Sequence, residues 1–176
     1  REPDAPRNGG ILRPIRTIAP RGTIVNAELP AAGGARVASS ARVFDCIMAC
    51  LDQALPEGVI ASGPGQIGIM ALSAPDPRTG RTRVGVVNPL VGGSGGRASC
   101  DGVNAVDPRF GQTRNVPAEV IEADTVLRVH RLELVPDSQS AGRHQGGAAL
   151  LFEFENSGFE ALVTVRGMNR FHFRPW

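Results

Sequence analysis

Apolar and polar residues alternate along this chain mostly with the period of strands, and once with the period of a helix. From about Ser40 to Leu55, the residues Val43, Phe44, Ile47, Met48, Leu51 and Leu55 recur at three- and four-residue spacing, which puts them on one helical face. Ser39 or Ser40 can cap this helix, and Pro56 and Gly58 end it. The apolar stripe reads as core. QIGIMALS and RTRVGVVNPL read as two strands around the turn PDPRTG, which carries Pro, Asp and Gly in turn-forming places. Residues 126–135 set Val, Leu and Val against Arg, His and Arg, as a half-buried strand does. ALLFEFEN and FEALVTVRG predict a hairpin-like pair around NSGF, and FHFRPW a last aromatic strand.

The first forty residues are less regular. Prolines limit ILRPIRTIAP to an edge strand or an irregular extended segment. PRG at 20–22 is a turn, and TIVNAELP predicts a short strand that leads into a glycine loop at 33–34. One helix against about seven strands predicts an α+β fold of mostly antiparallel sheet, with the main helix at about 40–55 and glycine-rich loops. No internal boundary shows, so the expectation is a single domain over residues 1–176.

Composition narrows the function classes. With 41% hydrophobic and 20% charged residues, the chain has the make-up of a globular protein. All 19 basic residues are arginine; genomic bias explains this, and so does a surface rich in bidentate carboxylate or phosphate contacts. The net charge is +2, aromatics make up 5%, and the arginines are scattered, which argues against a nucleic-acid surface. No apolar run has the length of a membrane span and no signal peptide is visible. Cys46, Cys50 and Cys100 are too few for a disulfide framework and suit free thiols in a reducing cytoplasm. Cys46 and Cys50, four apart on the helix, read as buried thiols rather than as metal ligands. The chain starts at Arg1 and stops at Trp176, right after a strand-like segment, which suggests part of a longer polypeptide or a processed subunit.

Candidate chemistry gathers between Gly92 and Gly147, where glycine-dense turns alternate with carboxylates and arginines. GGSGGR at 92–97 lacks the Lys-Ser/Thr ending of a phosphate loop, and ASCDGVNAVDP after it does not look helical. It reads as a structural turn that presents Arg97 and Asp101. Arg97 is suited to bidentate pairing with a carboxylate. Glu119 and Glu122, three apart, fit an acid–base pair or a cation site, and fit better a single helical turn begun by Pro117 whose acidic residues favour its positive end. Asp137 and Ser138 followed by SAGRHQGG resemble a turn closed by Asp or Ser capping of nearby amides. His130, His144 and His172 show no metal-ligand spacing. His144, beside Arg143 in a glycine turn, is the one placed near a site, with a structural hydrogen bond as its expected role.

The order of these pieces carries a resemblance. NGGILRPIRTIAPRGTIVN, LPAA, the helix, GGSGGRASCDG, NVPAEVIE and DSQSAGRHQGG together resemble the C-terminal portion of the hydantoinase B/oxoprolinase family. That family includes the B-type components of ATP-dependent N-methylhydantoinases, the matching part of 5-oxoprolinase, and components of acetone and acetophenone carboxylases. The resemblance implies a B-type subunit, or a fragment of one, in an ATP-dependent cyclic-amide hydrolase. An A-type partner subunit would carry ATP and Mg2+ and phosphorylate the substrate, and an N-terminal B-type half would complete the assembly. No cofactor and no metal would be bound by this chain itself. Any divalent metal would sit in the N-terminal half, and a small molecule would be the substrate.

Under this reading Asp101, Glu119 and Glu122 are the catalytic candidates, one carboxylate acting as general base, while Arg97 balances developing charge. Arg97, Asp137, Arg143 and His144 are the candidates for substrate or interface contacts. The resemblance leaves open a ketone carboxylase component, and a non-catalytic assembly role stands as the rival class. The family's turn reads Asp-Ser-Gly-Gly followed by Arg-Gly-Gly. Here it is Asp137-Ser138-Gln139-Ser140 and then Gln145-Gly146-Gly147, which implies a relaxed turn and a lost arginine–anion contact.

Overall fold

A computed structural model describes residues 4, 8–34, 36–55, 57–65, 67–107, 113–156 and 160–166. The expected aromatic strand FHFRPW lies outside them. The chain divides into two compact units, residues 1–39 and 40–176, and each is described by itself.

The first unit holds one 3-10 turn, Gly9–Leu12, opened by the Asn8 carboxamide, which accepts from the Gly10 amide at 2.9 Å. TIVNAELP does not form a strand. It contributes a tight turn in which Gly22 donates to Asn26 and Asn26 to Thr23, both at 3.0 Å. Gly22 has φ +76°, the left-handed region that glycine enters without strain. The Thr23 hydroxyl and the Asn26 amide donate back to the Pro20 and Ala19 carbonyls at 2.7 Å. These local bonds give the backbone a partner that the short apolar run cannot find in a neighbouring strand.

The second unit is strand-dominated. Its helices are α1 (Arg36–Asp52, whose residues from Ser40 onward belong here) and α2 (Ala118–Asp124). Its strands are β1 (Gly68–Pro75), β2 (Thr82–Leu90), β3 (Val106–Asp107), β4 (Thr113–Arg114), β5 (Leu127–Leu134), β6 (Leu150–Asn156) and β7 (Leu162–Arg166). The α+β class and the antiparallel pairing agree with the sequence. No helix among the described residues is long and apolar enough to cross a membrane.

β1 and β2 form the expected hairpin, closed by Asp76, whose carbonyl accepts from Gly80 at 2.7 Å and whose carboxylate accepts from the Arg78 amide at 2.8 Å. The second expected hairpin does not form. β6 pairs with β5, from Leu127↔Asn156 to Leu134↔Leu150, while β7 joins the other edge of β1, from Ile69↔Arg166 to Ser73↔Leu162. A period of two marks both segments as strands without naming their partners. β5 and β1 each offered an edge, and β6 and β7 each took one. The sheets are therefore β2-β1-β7, β5-β6 and the short β3-β4.

The core lies between the larger sheets and α2. Met70, Leu72, Val87, Ile121 and Leu127 are buried together, with Leu132, Phe152 and Phe154 packed against them. Burial of each large side chain is worth roughly 1.5–3 kcal/mol. α2 comes close to β2 because position 85 is glycine: a Cβ there would meet the Asp124 carbonyl at 3.0 Å and crowd the Thr125 methyl. Thr125, 4% exposed, ends α2 by donating to the Ile121 carbonyl at 2.6 Å and accepting from the Leu127 amide at 3.1 Å.

α1 departs from the expected stripe. Ala41 and Asp45 are buried, and Phe44 and Met48 line a small cavity with Ile60, Ala61 and Asp107. Val43, Ile47, Leu51 and Leu55 are exposed, as are Cys46 and Cys50. The packed face is chosen by the Arg42–Asp45 pair, 2.6 Å apart, whose guanidinium also donates to the Gly65 carbonyl. An ion pair anchored to a loop carbonyl turns the helix so that the longer aliphatic side chains and both thiols point outward. Ser39 and Ser40 lie inside the helix rather than at its cap.

Candidate active site

The glycine runs build a seam in which three loops touch backbone to backbone. A Cβ at Gly93 would overlap the Gly147 backbone, one at Gly95 the Ala61 carbonyl, and one at Gly102 the Ser94 carbonyl. Main-chain bonds fasten the seam: Ala61 to Gly96 at 2.9 Å, Ser94 to Val103 at 2.9 Å, Arg97 to Cys100 at 2.9 Å, Gly102 to Gln145 at 2.7 Å and Gly147 to Ser94 at 2.8 Å. Ser94, 5% exposed, is the hub, since its hydroxyl also accepts from the Val103 amide at 2.8 Å. Asn104 and Asn115 splint the flanks. The Asn104 carboxamide accepts from Ala148, and that of Asn115 both accepts from the Val91 amide and donates to its carbonyl, all at 2.7–2.8 Å.

The seam fits poorly with a phosphate cradle. The amides of Ser94 and Arg97 already donate to the Val103 and Cys100 carbonyls, and the glycines serve close backbone approach rather than an open anion nest.

What the seam presents is a pair of side chains 43 residues apart: His144 Nδ1 lies 3.2 Å from an Asp101 carboxylate oxygen. The same oxygen accepts from the Gln145 amide at 3.0 Å, so the carboxylate is fixed from two sides. A carboxylate can only accept, so the contact takes a proton on Nδ1, and in the neutral imidazole Nε2 is then the acceptor. His144 also lines a cleft of about 280 Å3 with Arg97, Arg143, Asp52 and Glu57. Arg97 is held there by main-chain pairing with Ile60 and Cys100. Among the described residues neither Arg97 nor Arg143 pairs with a carboxylate. The cleft thus brings an oriented imidazole together with two guanidinium groups and two carboxylates.

The other candidate residues lie elsewhere. Glu119 is exposed in the first turn of α2, and Glu122 accepts from the Val129 amide at 2.8 Å, tying α2 to β5. Asp137 is exposed and holds φ +57° in the turn after β5. In that turn the serines are the caps: Ser138 accepts from the Ala149 amide at 2.8 Å and Ser140 from the Gly146 amide at 3.2 Å. The turn is therefore closed rather than relaxed, with the Ser140 hydroxyl bonding at one of the two positions where a glycine is missing. Asp52, Glu57 and Ser94 escaped the sequence reading. The first two flank a helix end, and Ser94 looks like one more small residue in a glycine run. Among the described residues no group of three or more His, Cys, Asp or Glu is placed to hold a metal ion.

Comparison with known proteins gives a consistent picture. The sequence model for "Hydantoinase B/oxoprolinase" matches residues 1–176. The B component of a putative D-/L-hydantoinase from Pseudomonas sp. (strain NS671) is 36% identical over 148 residues, covering 84% of this chain and 24% of that protein. The caprolactamase beta component of Pseudomonas jessenii is 30% identical over 171 residues, covering 94% of this chain and 29% of that protein. The crystal structure of the ATP-dependent caprolactamase from Pseudomonas jessenii superposes with a TM-score of 0.68 at 29% identity, over 80% of this chain and 25% of that one. The chain thus spans 24–29% of the length of these relatives. It belongs to the hydantoinase B/oxoprolinase family.

Proposed function

We propose that this chain forms part of a B-type subunit of an ATP-dependent cyclic-amide hydrolase, and that the His144 cleft meets an intermediate activated by an A-type partner subunit. The observation that carries the reading is the Asp101–His144 pair beside Arg97 and Arg143 in a chain of this family. Relatives named as hydantoinase and caprolactamase components support the substrate class.

ATP and Mg2+, held by the partner, would supply a phosphoryl group to the ring amide oxygen, making the amide carbon electrophilic towards water. The residues of this chain then have defined tasks. His144 Nε2 takes the proton of the attacking water as the new C–O bond forms and returns it to the ring nitrogen as the C–N bond breaks. This opens the ring to an acyl phosphate, which a second water hydrolyses to carboxylate and phosphate. Asp101 keeps Nδ1 protonated and stabilises the imidazolium. Arg97 and Arg143 face the negative charge that develops on oxygen. Glu119 and Glu122, outside the cleft, are assigned no chemical step.

The test is turnover by the assembled complex, A-type partner included, with ATP and 5-oxoproline, hydantoin or caprolactam, and with acetone plus bicarbonate as a further arm. Ring opening that falls about a hundredfold in His144→Gln, the size expected for a general base, with the complex intact, is the expected result. Carboxylation of acetone would replace the hydrolase by the carboxylase reading. Ring opening untouched by substitution of His144, Arg97 and Arg143 would leave this chain an assembly role.

A further inference from the structure

The core is closed on one side and gapes on the other. α2 packs against β2 and β5 and seals that side. Beyond β1 the packing stops. Directly paired residues share a face of a sheet, yet Met70 and Leu72 are 2% exposed while their β7 partners, Val165 and Val163, are 50% and 41% exposed. The space left there is a cavity of about 670 Å3, with Met70 and Val165 on one sheet, Phe152 and Phe154 on the other, and the glycine seam at one end. The two phenylalanine rings, 5.0 Å apart between centroids and tilted by 32°, make an aromatic wall.

The polar chemistry of this lining is narrow. Among the described residues that line it, none is charged. Four serines reach it, and three already donate their hydroxyl protons: Ser62 to the Gly63 carbonyl and Ser94 to the Gly95 carbonyl, both at 3.4 Å, and Ser138 to the Val135 carbonyl at 2.7 Å. Ser140 differs. Its hydroxyl accepts from the Gly146 amide at 3.2 Å and, among the described residues, finds no acceptor for its own proton. It has room because residue 146 is glycine, where a Cβ would meet the hydroxyl oxygen at 2.5 Å. The nearby amides of Ser94, Gly147 and Ala149 are paired with Val103, Ser94 and Ser138. One donor is left at the seam end.

Apolar walls, a few converging polar groups and a volume of roughly 300–1,000 Å3 are the marks of a small-molecule site. A polypeptide segment reaching the seam would bring several peptide groups to a single donor, and buried peptide groups without partners are costly. A compact molecule with one acceptor leaves nothing unpaired.

We propose that this cavity binds an uncharged, mostly apolar small molecule with one hydrogen-bond acceptor. Its ring or chain lies against Phe152 and Phe154, and its acceptor takes the Ser140 proton. The site shares no lining residue with the His144 cleft and does not depend on the hydrolase reading.

The probe is prodan, an uncharged naphthalene that carries a ketone, titrated into the 176-residue chain and into the assembled complex. Saturable binding of one probe per chain, with emission shifted to the blue, is the expected result. Val165→Trp fills the cavity and should weaken binding at least tenfold. Ser140→Ala should weaken it about fivefold, the worth of one neutral hydrogen bond. 2-(Dimethylamino)naphthalene, which lacks the ketone, should bind wild type and Ser140→Ala alike, which a merely structural role of Ser140 would not produce. Melting curves check both variants, and the Ser140→Ala comparison decides alone if the tryptophan unfolds the chain. Binding that does not saturate would overturn the proposal, as would binding that a folded Val165→Trp leaves unchanged. So would a Ser140→Ala effect no larger for prodan than for its ketone-free analogue. Binding to the isolated chain that is lost in the complex would overturn it too, since polypeptide would then fill the cavity.

Discussion

At the scale of single residues, the candidate site depends on one carboxylate oxygen that holds both the His144 imidazole and the Gln145 amide. Asp101→Asn can present its NH2 group to Nδ1 and favour the other tautomer. Ring opening should then fall by at least about a hundredfold, with little change in thermal stability, as read from kcat beside a melting curve. The pairing was half legible. Both residues adjoin glycine turns, which marks them as held by ordered backbone, but 43 residues separate them and no local period links them. Glu119 and Glu122 mislead in the opposite way, since their spacing looks like shared chemistry. A carboxylate near a helix start is as readily explained by backbone capping, and Glu122 bonds the Val129 amide. Asn115 shows a third case, a surface-typical residue whose two bonds to Val91 replace strand pairing. Asn115→Ala should cost about 2 kcal/mol, from two backbone groups left without partners, measurable by urea unfolding.

At the scale of elements, close approach is set where side chains are missing. α2 crosses β2 at Gly85, and a methyl there meets the Asp124 carbonyl and the Thr125 side chain. Gly85→Ala should destabilise the unit by about 1–3 kcal/mol through overpacking, whereas Gly80→Ala in the exposed hairpin turn should act only through its φ of +66° and cost less. Comparing the two unfolding midpoints separates crowding from backbone strain. Strand periods, the β1–β2 hairpin and the principal helix were legible because their signals are local. The partners of β6 and β7 were not, since pairing is a competition among edges that a single segment does not record. The outward stripe of α1 was hidden for a related reason. Periodicity locates an apolar face but not what meets it, and the Arg42–Asp45 pair decided which face packed.

At the scale of the whole molecule, the second unit gathers distant segments. The seam joins residues near 61, 95, 102 and 146, so its stability belongs to all four at once. Gly93→Ala should cost more than about 3 kcal/mol, because a Cβ would displace the Gly147 backbone itself. The same variant should lower turnover through loss of folded protein, which residual activity per folded molecule would show. The placement of β7 has a consequence for synthesis. β1 leaves the ribosome on the order of ninety residues before its partner Leu162–Arg166, so the nascent sheet waits as a two-stranded hairpin whose β1 edge is bare. Such an edge is where chains pair with one another. A chain ending at Asn156 should therefore aggregate from dilute solution more readily than the full chain, as light scattering would register.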